Sequence, residues 1–137
     1  MIVDDLMAEI GEKLGTIAGL RVTPYAADSV NPPAAVVLLP DDITFDATYG
    51  RGSDEMEIPV LVLISKANDR NSHTKLAAYL DGSGAKSIKA AVDSTNANPY
   101  TAADTVTVMT ATIGAFTFAA VDLLGAEFTV HVSGSGS

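Results

Sequence analysis

The sequence contains no cysteine, so neither a disulfide framework nor a thiolate metal site can hold it together. No stretch approaches the ~18 consecutive apolar residues of a membrane span. The N-terminus, Met1-Ile2-Val3-Asp4-Asp5, has neither the basic region nor the long apolar run of a signal peptide. Folding in the cytoplasm with no membrane partner is therefore expected. Positive charge is also scarce, with eight Lys and Arg against seventeen Asp and Glu and a formal net charge of −9. The eight are scattered from Lys13 to Lys89 without interleaved aromatics. A field of that sign repels phosphate backbones, which argues against tight nucleic-acid binding. The acidity reads first as solubility.

What is present is an ordinary globular balance, 47% hydrophobic and 18% charged over 137 residues. That length fits one domain and buries about two-thirds of its extended surface on folding. An apolar core that needs no metal or other cofactor is expected. Val3, Leu6, Met7, Ile10, Leu14 and Ile17 recur at helical spacing and predict an amphipathic helix, capped by Asp4 or Asp5 and stopped by Gly19. Leu20 to Tyr25 reads as a short strand. Asn31-Pro32-Pro33 is a loop, and the apolar run Ala34 to Leu39 a buried central strand. Ile43 to Tyr49 and Ser53 to Ser65 flank Gly50-Arg51-Gly52 as the arms of a hairpin.

The second arm changes character along its length. Met56, Ile58, Val60, Val62 and Ile64 alternate first with Glu55, Glu57 and Pro59, then with Leu61 and Leu63. Such a strand leaves solvent and enters the core partway along. Pro59 cannot donate to a ladder and belongs on an edge or at a bulge. Glu55 and Glu57 read as charges that guard the edge or as a docking edge. A helix capped by Asn68, Asp69 or Asn71 runs to about Leu80, and a second, Ala85 to Val92, has Ser83 as its cap. Asp93 to Asp104 is a polar segment with a turn at Asn98-Pro99. Strands are expected around Val106–Thr110, Phe116–Val121 and Glu127–Val132, the last two joined near Leu124-Gly125. Residues 1–132 thus form a single α+β domain. Its mostly antiparallel or mixed sheet carries a long hairpin, with the N-terminal helix and a central helix pair packed on it. Ser133 to Ser137 has the composition of a flexible Gly/Ser tail.

The chain carries little that points to chemistry. His73 and His131, the two histidines, stand in no metal-ligand spacing. Asp41, Asp42 and Asp46 lack the regular ligand positions of a calcium loop and read as turn formers. Gly82-Ser83-Gly84-Ala85-Lys86-Ser87 resembles a phosphate loop only superficially, because a helix precedes it and Ala85 stands where a glycine is needed. No G-x-S-x-G elbow is present. The expectation is a protein without enzymatic activity.

Several stretches, in order and at matching spacing, resemble the tail terminator family of siphoviruses, particularly those of phages that infect actinobacteria. They are Gly19-Leu20-Arg21-Val22, Pro32 to Val37, Gly50-Arg51-Gly52-Ser53-Asp54, Leu76 to Leu80, Ser83 to Ala91, and Leu124 to Val130. The departure lies at Asp93 to Val121, where no such motif occurs. The resemblance implies a structural virion protein at the head-proximal end of the tail, assembled in the host cytoplasm as a homo-oligomer, a ring of six. Its partners would be the tail tube protein, whose polymerisation it stops, and the head-completion protein, with DNA passing through the lumen unbound. Tyr49, Arg51, Glu55, Glu57 and Pro59 are the expected contact residues, with Arg51 placed to pair with an acid on a neighbouring subunit. The alternatives are another head–tail connector or tube ring protein, or a small acidic binding module.

Overall fold

The computed structural model describes residues 3–17, 19–23, 33–40, 42–45, 53–66, 71–95, 98–118 and 121–135. In chain order they form α1 (Val3–Leu14), β1 (Arg21–Thr23), β2 (Ala34–Val37), β3 (Ile43–Thr44), β4 (Ser53–Lys66), α2 (Asn71–Leu80), α3 (Ile88–Val92), β5 (Thr105–Phe118) and β6 (Val121–Ser135). One six-stranded mixed sheet runs β1-β2-β4-β6-β5, with β3 also paired to β4. Among the described residues only β1 and β2 are parallel to each other. The fold is α+β, as expected.

The helices cover one face of this sheet. Leu6, Ile10 and Leu14 of α1, Leu76 and Tyr79 of α2, and Ile88 and Val92 of α3 join the even-numbered residues Met56 to Ile64 of β4 and Leu124 to Val132 of β6 in the main core. Each such Leu, Ile or Val contributes roughly 1.5–3 kcal/mol by leaving water. The opposite face carries a smaller cluster of Val36, Leu61, Leu63 and Leu123, with Leu38 and Phe116 packed against it. The second half of β4 is accordingly buried on both faces, as its sequence predicts.

Several boundaries differ from expectation for local reasons. α1 ends at Leu14, not Ile17; the N–H groups of Thr16 and Ile17 bond the carbonyls of Lys13 and Leu14 at 3.2 and 3.0 Å, tightening the last turn. Gly19, at φ 80°, then takes the left-handed conformation foreseen for it. Asp4 and Asp5 lie inside the first turn, where the positive end of the helix dipole favours them. The cap of α3 is Ser87, not Ser83: the Ser87 hydroxyl accepts the Ala90 N–H at 3.1 Å and also donates to the Asp81 carbonyl. Among the described residues no helix is long and apolar enough to cross a membrane.

The C-terminal strands need the largest correction. Leu124-Gly125 is no turn but lies within the 15-residue β6, and the two strands expected before it are one 14-residue β5 with a register shift at Met109. Gly125 is there for clearance: a Cβ would run into the Val62 carbonyl of β4. Ser133 to Ser135, read as a flexible tail by composition, continue β6 opposite Glu55 to Ser53. Composition alone could not reveal that β4 supplies a partner strand for them.

Candidate functional site

The expected contact residues fall on β4 and the segment before it. Ile43 lies opposite Met56 and Thr44 opposite Glu55, so the hairpin exists as an antiparallel pair. Tyr49 and Arg51 lie outside the described residues. Glu55 and Glu57 alternate with the core residues Met56 and Ile58 and so face away from the helices. Across the ladder, β6 sets Ser133 beside Glu55 and His131 beside Glu57. Glu55, Glu57 and His131, together with Asp42, Thr44 and Met56, line a shallow groove of about 260 Å³. Directly opposed side chains on an antiparallel pair are within reach of one another, so His131 sits amid carboxylates. Among the described residues no group of His, Asp and Glu is arranged to hold a metal ion.

Pro59 is not on a free edge. β4 is interior, with β6 on one side and both β2 and β3 on the other. The Pro59 carbonyl accepts the Leu38 N–H at 2.9 Å, and Pro59 has no N–H to return the bond. β2 ends at Val37, the residue before Leu38, and β3 takes up β4 again only at Met56. The proline therefore occupies the gap between two neighbours, where no donor is required.

Of the other segments read from sequence as turns, the connection after α2 is one. Asp42 is exposed in the approach to β3, and Asp41 and Asp46 lie outside the described residues. Gly82 to Lys86 is an exposed connection between α2 and α3, with Gly84 at φ 108°, and Ser87 after it is buried. His73 lies in α2.

Two arrangements had no signal in local sequence. The first is a tie between α1 and the segment before β5. The Glu9 carboxylate accepts the backbone N–H groups of Thr101 and Ala102, each at 2.9 Å, and the Thr101 hydroxyl. Burial pushes the Glu9 carboxyl up, but these donors and Lys13 outweigh it and leave its pKa lowered. One turn along, Lys13 donates to the Pro99 carbonyl at 3.0 Å, with its ammonium 5.2 Å from the Tyr100 ring centre. The Tyr100 hydroxyl donates to the Val92 carbonyl at 2.7 Å. Burial, then Glu9 and Asp93, raise the pKa of that hydroxyl and keep it protonated.

The second is a cap on the first part of β5. Ser94 donates its N–H to the Val106 carbonyl at 2.8 Å, and its hydroxyl accepts the Val106 N–H at 3.0 Å. Asp93 accepts the Val108 N–H at 2.7 Å, and Lys89, paired with Asp93, reaches the Val108 carbonyl at 3.2 Å. Side chains thus stand in for a neighbouring strand. Searched against known families and curated proteins, the chain matches no family model and no curated protein.

Proposed function

We propose that this protein is a non-enzymatic cap of a phage tail tube, a ring-forming subunit that ends tube growth and meets the head-completion protein. Two things support the reading. One is the ordered resemblance of segments spread along nearly the whole chain to siphovirus tail terminators. The other, which carries most weight structurally, is the groove formed by β3, β4 and β6, where Glu55, Glu57 and Asp42 lie on a face that the helices leave open. An acidic, uncatalytic surface on a rigid sheet suits contact with other proteins while repelling the DNA that would slide past it.

The test is tail length in lysates of a phage with a nonsense mutation in this gene, read by electron microscopy. Overlong tails unattached to heads are expected. Tails of normal length would overturn the capping reading and favour another head–tail connector. At finer grain, Arg51→Glu and Glu57→Lys should each reduce the fraction of heads that carry tails. Unchanged joining and tail length in both variants would remove this region as a contact.

A further inference from the structure

The outer edge of β5 is treated differently along its length. At Val106 and Val108 the backbone groups turned away from β6 are taken by Ser94, Asp93 and Lys89. The one-residue bulge at Met109 then transfers the outward orientation to Ala111, Ile113, Ala115 and Thr117. Among the described residues no strand lies beyond them. Met109 and Ile113 are 60% and 55% exposed. Proteins blunt such edges with charges or proline, yet the seventeen residues from Thr105 to Val121 contain neither.

Gly114 adds an independent observation. It pairs with Gly125 of β6, but a Cβ on Gly114 would meet nothing within 4 Å. Its own fold thus gives no steric reason for a glycine, which weakens a strand interior and often marks where another backbone comes close. It also stands at the midpoint of Thr110 to Phe118, the part of β5 between the bulge and the strand end.

We propose that two copies of this chain pair through β5, antiparallel, about a two-fold axis at Gly114. A segment centred on its own midpoint overlaps its copy without overhang. The four outward residues of each copy then find partners: Ile113 opposite the partner's Ala115, and Ala111 opposite the partner's Thr117. This arrangement makes roughly eight backbone hydrogen bonds, with the two Gly114 Cα atoms about 4.5 Å apart as a non-hydrogen-bonded pair. Two chains that each carry −9 meet along a strand that carries no charge. The pairing concerns the free protein, leaves the Glu55–Glu57 groove uncovered, and holds independently of the capping reading.

Sedimentation or light scattering of the purified protein should give twice the 14.1 kDa chain mass. Ala115→Pro deletes an outward N–H that β6 does not use, and Ile113→Lys sets a cation beside the partner's strand. Each should return the mass to that of a single chain while cooperative melting is retained. Because the chain lacks cysteine, Gly114→Cys gives a single reporter, and mild oxidation should cross-link it across the axis. Thr110→Cys, which the register sets far from its own copy, should not cross-link. A single-chain mass for the unaltered protein at its highest soluble concentration would overturn the proposal. So would dimers that survive both edge variants, or equal cross-linking of the two cysteine variants.

Discussion

Glu9 and Gly125 each hold together parts of the chain that are distant in sequence, by opposite means. Glu9 does so with a charge. Replacing it with Ala leaves the Thr101 and Ala102 N–H groups to water and should cost ~1 kcal/mol, a fall of roughly 3–6 °C in melting temperature. The pH dependence follows from its lowered pKa. A carboxyl depressed in the folded state contributes stability above its unfolded value, near 4.5, and loses it as pH falls through the folded value. The difference in melting temperature between the natural protein and Glu9→Ala should therefore shrink in acid, and a constant difference from neutrality to pH 3 would refute the tie. Gly125 acts by absence. Gly125→Ala forces a methyl against the Val62 carbonyl and within 3.1 Å of the Leu63 side chain. Because the obstacle is backbone of the central strand, a loss above about 2 kcal/mol in denaturant titration is expected. Gly114→Ala, with open space around it, should cost the isolated chain little.

Elements were legible where side chains alternate or recur against one partner surface. The stripe of α1, the doubly buried run of β2 and the changing character of β4 could all be read from residue order. What failed were inferences from residues with more than one use. Gly125 reads locally as a turn, and only the approach of Val62 explains it. Pro59 reads as an edge, and only the gap between β2 and β3 shows why an interior strand tolerates it. The Gly/Ser stretch at 133–135 resembles a linker until β4 is set beside it. For the candidate contact surface, Glu55 and Glu57 were visible as outward charges, but His131 joins them only through the pairing of β4 with β6. The cap on β5 was invisible for the same reason, because Asp93 and Ser94 meet Val106 and Val108 across a loop. Asp93→Ala should uncover the Val108 N–H, cost about 1–2 kcal/mol and lengthen the open edge. Faster aggregation in light scattering would accompany the lower stability.

For the whole molecule, the sum of charges and their placement act in different ways. Net charge was readable at once and predicts mutual repulsion, but the uncharged run between Asp104 and Asp122 shows where that repulsion is weakest. Pairing through β5 should therefore tighten as salt rises from roughly 10 to 150 mM, over which the screening length falls from about 30 to about 8 Å. An interface built on ion pairs would loosen over the same range, so sedimentation at the two salt concentrations separates them.

The position of β6 within the sheet also governs the order of assembly. Among the described residues it follows β4 and β5 in sequence, yet it lies between them and pairs with both along nearly their full length. When β4 and β5 leave the ribosome, neither has its main neighbour, and Ile58, Val60 and Val62 have only part of their cover. Closing the sheet joins residues as far apart as Ser53 and Ser135, so the entropy of a long loop must be overcome before most of the ladder forms. Refolding should accordingly be slow, in milliseconds to seconds, with amide protection in β4 and β6 appearing together. A chain released before residue 121 should remain unfolded and prone to aggregate, so the early products of this gene are the ones most in need of a chaperone.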